Sequence, residues 1–393
     1  MRVRTIVLRV LQSCSTVVHA SRLTTLLVVI DGIVRSSRLA VTSVGRCLPS
    51  SALVKHSIKR VDRLLSNGRF QRERHVYFRA LARFIIGQWS RPVIAIDWTK
   101  GVGNFWALYA SVPVGGRAQT VYLEVHRERV IETERVHRRF LHALRDVLPP
   151  DCRPIVVLDA GFHGEFLREV RELGWDFLVR LRGRTTMRPS AAHRWTNVRR
   201  LYRRASVVAV SLGLHQLYRK VRSIEVMLVL VQQVRSGRHP FARKLSADHA
   251  STMSSGKDPW LLATSLRHHS AEQVIALYGL RMQIEETFRD LKNHRFGWSL
   301  RDVRSSTPDR LAALLLIASL AMLAVTLIGS AAELANVHRS YQANTVTRRV
   351  LSHFVLGLSV LRASTTPSIL PSHLRAATAL LRLPNIAPPQ NHR

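Results

Sequence analysis

This 393-residue chain has few acidic residues for its basic ones, and few cysteines. It carries 25 Asp and Glu against 60 Lys and Arg, a formal net charge of +35, and so large an excess along the whole length points to a polyanionic partner, most simply nucleic acid. An anionic membrane surface is the rival, but basic residues interrupt nearly every apolar segment instead of clustering beside one. Cys14, Cys47 and Cys152 are odd in number and far apart, which argues against a disulfide framework or a Cys-rich zinc site and fits a reducing cytoplasm. Long apolar runs are nearly absent too. Arg9 breaks the first one before it can serve as a signal-peptide core, and no small-residue cleavage site follows. Leu311 to Ile328, apolar apart from Ser319 and Thr326, approaches the ~20 residues that a bilayer span needs. Its many alanines, and the very basic segments on both sides, suit a buried core helix better, so no membrane partner is expected.

What is present is ample core material. A hydrophobic content of 46% at this length suggests two or three domains. Residues 1–88 read as short helices, with apolar runs at 3–11 and 23–34 and a basic segment at 55–65. There Ile58, Val61, Leu64 and Leu65 share one face, while Lys55, Lys59, Arg60 and Arg63 occupy the rest, as in a helix laid against phosphates. A solvated basic face reads the same way.

From Pro92 the period changes. Val93 to Ile96 is a short apolar run ending in Asp97, the pattern of a buried strand that delivers a side chain to a sheet edge. Strands are expected at 105–112 and 119–125, a helix at 132–147, and then Pro154 to Leu158 repeats the apolar run and ends in Asp159. A turn at Ala160-Gly161-Phe162, a helix to Leu173 and a strand from Trp175 to Leu181 complete an α/β unit. Each aspartate alone also suits a turn or a helix cap. Together they suit a hard divalent cation, which takes oxygen ligands from separate elements.

The stretch from Tyr278 to Lys292 has no Pro and has apolar residues at helical spacing, so a single helix is expected. On it Tyr278, Arg281, Glu285 and Lys292 would share one stripe beside the apolar stripe of Leu277, Leu280, Ile284, Phe288 and Leu291. Arg281 and Glu285 also suit an ordinary solvated i,i+4 pair. With Asp97 and Asp159, Glu285 would complete a three-carboxylate cage for two metal ions of the kind that drive phosphoryl transfer.

These residues carry a family resemblance. Tyr278-x2-Arg281-x3-Glu285-x6-Lys292 matches without a gap the Tyr-Arg-Glu-Lys signature of the Asp-Asp-Glu transposases of the bacterial insertion-sequence-four family, which the chain resembles over nearly its full length. More narrowly it is similar to the group typified by the transposase of the ten-type tetracycline-resistance transposon. Arg281 to Lys292, Ile58 to Leu65, Asp159-Ala160-Gly161-Phe162, Pro259 to Thr264 and Gln342 to Thr345 all follow that group's pattern. Lys100 departs from it, standing where the group carries an acidic residue.

The resemblance implies an α/β fold: a ribonuclease-H-like catalytic core at 89–182 and 266–338, split by a β-rich insertion at 183–265, which alternating or apolar runs at 206–212 and 224–234 and a final strand at 260–264 suit. A helical DNA-binding region at 1–88 would precede it, and C-terminal helices at 339–393, with possible dimer contacts, would follow. Asp97, Asp159 and Glu285 would be catalytic and hold two Mg²⁺ ions, with Mn²⁺ able to substitute. Tyr278, Arg281 and Lys292 would grip phosphates near the cleaved end, and Trp260 would stack on a flipped base, although Trp260 also suits plain core. Lys59, Arg60 and Arg63 would touch DNA. The expected activity is cut-and-paste transposition through a DNA hairpin, with terminal inverted repeats and target DNA as partners and a homodimer in the synaptic complex. The expected place is the bacterial cytoplasm, at the nucleoid. An inactive, transposase-derived DNA-binding protein and a structure-specific nuclease of the same fold are the alternatives.

Overall fold

The structure, a computed structural model, describes residues 3–14, 16–131, 133–183, 185–190, 192–219, 222–233, 258–363 and 369–383. The stretch 234–257 of the expected insertion and the end of the tail from residue 384 lie outside the described residues. In chain order the helices are α1 (Val3–Val10), α2 (Ala20–Ser36), α3 (Val41–Arg46), α4 (Val54–Ser66), α5 (Gly68–Arg72), α6 (Arg74–Ile86), α7 (Glu134–Val147), α8 (Gly164–Glu172), α9 (Ala271–Gly279), α10 (Met282–Lys292), α11 (Pro308–Leu334), α12 (His353–Arg362) and α13 (Pro371–Leu381). The strands are β1 (Val93–Lys100), β2 (Phe105–Val114), β3 (Arg117–Arg127), β4 (Ile155–Leu158), β5 (Asp176–Leu181), β6 (Thr186–Arg188), β7 (Thr196–Asn197), β8 (Val210–Leu217), β9 (Ile224–Val231) and β10 (Trp260–Thr264). The chain divides into two compact units, one formed by Met1–Cys152 with Met282–Asn385 and the other by Arg153–Arg281.

In the first unit, helices occupy the chain up to Ile86, and β1, β2 and β3 then form an antiparallel meander with β2 in the middle. Gly115 and Gly116, with φ of 60° and 90°, make the β2–β3 turn, which needs two left-handed residues in a row. The unit is built around α11. Thr307 caps its N-terminus by accepting from the Arg310 N–H, and Pro308 opens the helix. Its most apolar 18-residue window is 100% buried inside the protein, against α2, α4, α5, α6, β3, α12 and α13. A helix that is apolar all round must be buried on every side, and here neighbouring helices do the burying.

The contact of α11 with α12 needs two glycines. A β-carbon at Gly329 would collide with the His353 carbonyl oxygen, and one at Gly357 with the Val325 carbonyl oxygen.

The second unit is the parallel pair β4 and β5 joined through α8, with Leu158 beside Val179, extended in the order β4-β5-β10-β9-β8-β6-β7. The two units hold the strand inventory of a ribonuclease-H-like core: an antiparallel three-stranded meander and a parallel βαβ unit. The strands after β5 fall in the stretch where a β-rich insertion is expected, and the architecture is mixed α/β with helices following. The apolar run expected as a strand at 206–212 sits elsewhere. Val207 and Val208 are exposed, and β8 begins at Val210, with its register to β9 shifting between Ser211 and Gly213, where Gly213 has φ of 78°. A bulge of this kind moves a strand without changing its composition.

The single helix expected from Tyr278 to Lys292 is two helices. α9 opens on a capping box, in which the Ser270 side chain accepts from the Gln273 N–H and the Gln273 side chain accepts from the Ser270 N–H. It closes on tightened bonds, from the Leu280 N–H to the Leu277 carbonyl (3.2 Å) and from the Arg281 N–H to the Tyr278 carbonyl (3.1 Å). These i→i−3 bonds end the α-helical ladder, and α10 starts afresh at Met282. Tyr278 therefore belongs to α9, Arg281 to the turn, and Glu285 and Lys292 to α10, so the four do not form one helical stripe.

Gly357→Ala in α12 should lower stability by about 1–3 kcal/mol, because overpacking against a backbone carbonyl outweighs the ~1 kcal/mol that alanine gains over glycine in a helix. Chemical denaturation of the full chain checks this, and an unchanged or raised midpoint would show that the two helices can part at no cost.

Candidate functional site

Asp97 is the fifth residue of β1, half-buried and opposite Tyr109 of β2. Thr99, two residues on, shares its face of the strand. The Lys292 ammonium at the end of α10 donates to the Thr99 hydroxyl at 2.6 Å. Burial and, less strongly, the charge of Arg301 pull the Lys292 amine down, Asp97 opposes both, and the outcome is about 8. Asp97, Thr99 and Lys292 thus meet within the first unit.

What sets α10 in place is its other side. The Gln283 side-chain oxygen accepts from the Gly116 N–H (3.2 Å). The Thr287 hydroxyl accepts from the Ala118 N–H (2.8 Å) and lies 3.1 Å from the Ala118 carbonyl. Asp290 pairs with Arg117 at 2.5 Å. Positions 283, 287 and 290 fall on one stripe of a helix, and 285, 289 and 292 on the opposite one, roughly 180° away at ~100° per residue. Phe288 packs between the two, its ring 5.1 Å from that of Tyr109. Seating the first stripe on β3 therefore turns Glu285 and Lys292 into an open groove of about 600 Å³, whose lining also includes Thr99, Asn293 and Arg301.

In the second unit Asp159 follows β4 directly, and its Oδ1 accepts from the Gly161 N–H at 2.9 Å, closing a tight turn. One step beyond the Leu158–Val179 pair, the parallel register brings Asp159 alongside Arg180 of β5. Tyr278 is 2% exposed, with the Trp260 ring edge-on at 4.8 Å and the Arg281 guanidinium 5.8 Å from its ring centre. Burial raises the Tyr278 phenol above its ordinary value, Arg281 and Arg180 oppose this, and Asp159 adds to it. Asp159, Arg180, Trp260, Tyr278 and Arg281 are thus one neighbourhood. Trp260 is half-buried and belongs to neither extreme of core or free surface.

Lys59, Arg60 and Arg63 stand apart from both groups, on α4. With Ser21, Thr25 and His56 they line a groove of about 470 Å³, while Val61 and Leu65 are buried on the other face. Lys59 donates to Asp62 at 3.1 Å, and Arg310 pairs with the same carboxylate at 2.7 Å, which holds it below the usual range. Pattern reading of the sequence passes over Arg180, Thr99 and Arg301. The signals for the first two are a lone cation inside an apolar strand and a hydroxyl two residues after a strand-borne aspartate. Arg301 has none, because a tight turn separates it from Lys292.

Asp97, Asp159 and Glu285 are hard oxygen donors, so their chemistry fits a hard divalent ion. Among the described residues no group of three or more His, Cys, Asp or Glu side chains could hold a metal ion.

The structure thus sets Asp97 within β1 and Asp159 just after β4, with lysine and arginine facing open grooves. Residues 89–324, more than half of the chain, match the family model described as the transposase DDE domain, and the chain belongs to that family. No curated protein matches it. A solved structure that is similar to it is the cryo-EM structure of the piggyBac transposase synaptic complex with hairpin DNA, with a TM-score of 0.42 and 10% identity over 99% of this chain and 84% of that one.

Thr287→Val should cost about 1–3 kcal/mol, since it strands the buried Ala118 N–H, and Thr287→Ser should restore most of it; equal melting of all three proteins would mean that the hydroxyl anchors nothing. Lys292, labelled by reductive methylation and followed by NMR, should titrate near 8, well below free lysine. The unfolded chain binds the extra proton between that value and the ordinary lysine value, so this group's contribution to stability rises with pH across the window.

Proposed function

We propose that the chain is a transposase of the insertion-sequence-four type, related to the group of the ten-type tetracycline-resistance transposon. It would cut DNA at the terminal inverted repeats of its element by metal-dependent hydrolysis, pass through a hairpin and join the freed 3′ ends to target DNA. The observation that carries this reading is the Tyr278-Arg281-Glu285-Lys292 signature inside a chain of the DDE family, with Glu285 and Lys292 lining one groove.

Asp97, Asp159 and Glu285 would hold two Mg²⁺ ions, or Mn²⁺, which when bound supply a Lewis acid and neutralise charge on phosphoryl oxygens. The other residues bind and orient. Lys292, steadied by Thr99, offers a localised positive charge to a phosphate, and Arg281 and the neutral Tyr278 phenol offer donors in their own neighbourhood. Trp260 has an aromatic face on which a displaced base could stack. Lys59, Arg60 and Arg63 track the DNA backbone along the α4 groove, contributing affinity and not sequence choice. Joining two ends calls for a homodimer in the synaptic complex, at the nucleoid in the bacterial cytoplasm.

The test is purified full-length protein with a labelled fragment carrying the repeats that flank the gene, with and without Mg²⁺ or Mn²⁺. Wild type should cut and join. Glu285→Gln should bind the fragment but cut it at least ~10³-fold more slowly, about 4 kcal/mol of barrier. Cleavage that survives the substitution removes Glu285 from the chemistry. Binding without cleavage in either metal makes the protein a DNA-binding relic, and cutting without joining makes it a nuclease.

A further inference from the structure

The chain beyond α10 folds back on it in a tightly bonded turn. The Asn293 side-chain oxygen accepts from the N–H groups of Arg295 (2.7 Å) and Phe296 (2.9 Å). The Trp298 N–H donates to the Asp290 carbonyl (3.0 Å) and the Ser299 N–H to the Asn293 carbonyl (3.2 Å). Gly297 passes so close to the Asp290 carbonyl that a β-carbon would collide with it, and Ser299 takes a left-handed φ of 53°. For a residue other than glycine that conformation costs roughly 1–2 kcal/mol. Trp298 pins the turn from below, fully buried and edge-on to Phe354 at 5.1 Å. One short 3₁₀ turn, Leu300–Asp302, then carries exposed Arg301 back to the groove that Lys292 lines.

Two cations held near each other repel, and Asp97 offsets this at Lys292 only in part. Asp302, the adjacent acid, is engaged by Arg38 and His294, each at 3.3 Å. Arg289, Lys292, Arg295 and Arg301 line the groove against one carboxylate, Glu285, and with Arg289 paired to Glu286 at 2.7 Å three cations still outnumber it, so its balance favours an anion. Because the groove is open and two further arginines, Arg289 and Arg295, continue along it, a polyanion suits it better than a small free anion.

We infer that Arg301 is the second cation of a phosphate clamp, and that Lys292 and Arg301 together hold one backbone phosphate of a DNA strand beside Glu285. The clamp rests on the reading of DNA as substrate, and not on the cleavage chemistry. The guanidinium supplies the directed, paired donors that an ammonium lacks. Lys292 reaches the phosphate from the helix and Arg301 from the returning turn.

The test is binding of a short labelled blunt-ended DNA duplex to the full chain across a range of NaCl concentrations. It compares wild type, Arg301→Ala, Arg301→Lys, Lys292→Ala and the double alanine variant, with Arg145→Ala on α7 as a charge-matched control. Arg301→Ala should weaken binding about tenfold and flatten the salt dependence by up to ~0.9 in log–log slope. Arg301→Lys should keep most of the slope but not the affinity. Because both cations hold one phosphate, the double variant should lose less than the product of the single losses. An Arg301→Ala protein that binds like wild type, losses that multiply, or an equal loss in Arg145→Ala would each overturn the clamp. Cleavage is scored in parallel with Glu285→Gln. Cleavage surviving that change sinks the transposase chemistry and leaves the clamp standing, whereas an inert Arg301 sinks the clamp alone.

Discussion

The seating of α10 on β3 is the constraint on which the rest of the first unit's groove depends. An edge strand has backbone groups with no ladder partner, and here the Thr287 hydroxyl serves both the N–H and the carbonyl of Ala118. Gln283 and the Asp290–Arg117 pair extend that attachment by one turn in each direction. A helix held at three points along one stripe can neither slide nor roll. The opposite stripe, which carries Glu285 and Lys292, is therefore aimed by contacts that never touch the groove itself.

The surplus of positive charge is handled in two ways. Some cations are paired where the helices pack, as with Arg22 on Glu73 and Arg310 on Asp62, but 25 carboxylates cannot match 60 cations. Elsewhere cations are left facing open grooves, on α4 and around Lys292, and burial there makes the cost visible as a lysine that gives up its proton near 8. Burying a cation beside another is unfavourable unless an anion arrives. The fold accepts that cost in the groove of Glu285 and offsets it with the core built around α11.

Much of the scaffold could be read in advance, because it follows from local pattern. The apolar run before Asp97 opens β1, which continues through Asp97 to Lys100 where an end was expected, the run before Asp159 is β4, the run from Trp260 to Thr264 is β10, and the apolar stretch at 311–328 lies inside a buried helix. Two further expectations failed, for local reasons that composition hides. Helical spacing continues through Tyr278–Lys292, yet two tightened hydrogen bonds break the helix at Leu280 and Arg281. A bulge at Gly213 moved β8 away from the apolar pair Val207 and Val208.

The sequence by itself determined the class of elements, the burial of α11, the charge excess and the signature residues, since each is a matter of period, composition or spacing along the chain. Only the tertiary structure decided which side of α10 faces β3, that Lys292 reaches Thr99, that Arg180 stands beside Asp159, and that a turn through Gly297 returns Arg301 to the groove. Those are contacts between residues distant in the chain or separated by a sharp reversal. Their energies come from hydrogen bonds and packing that exist only after the elements have met.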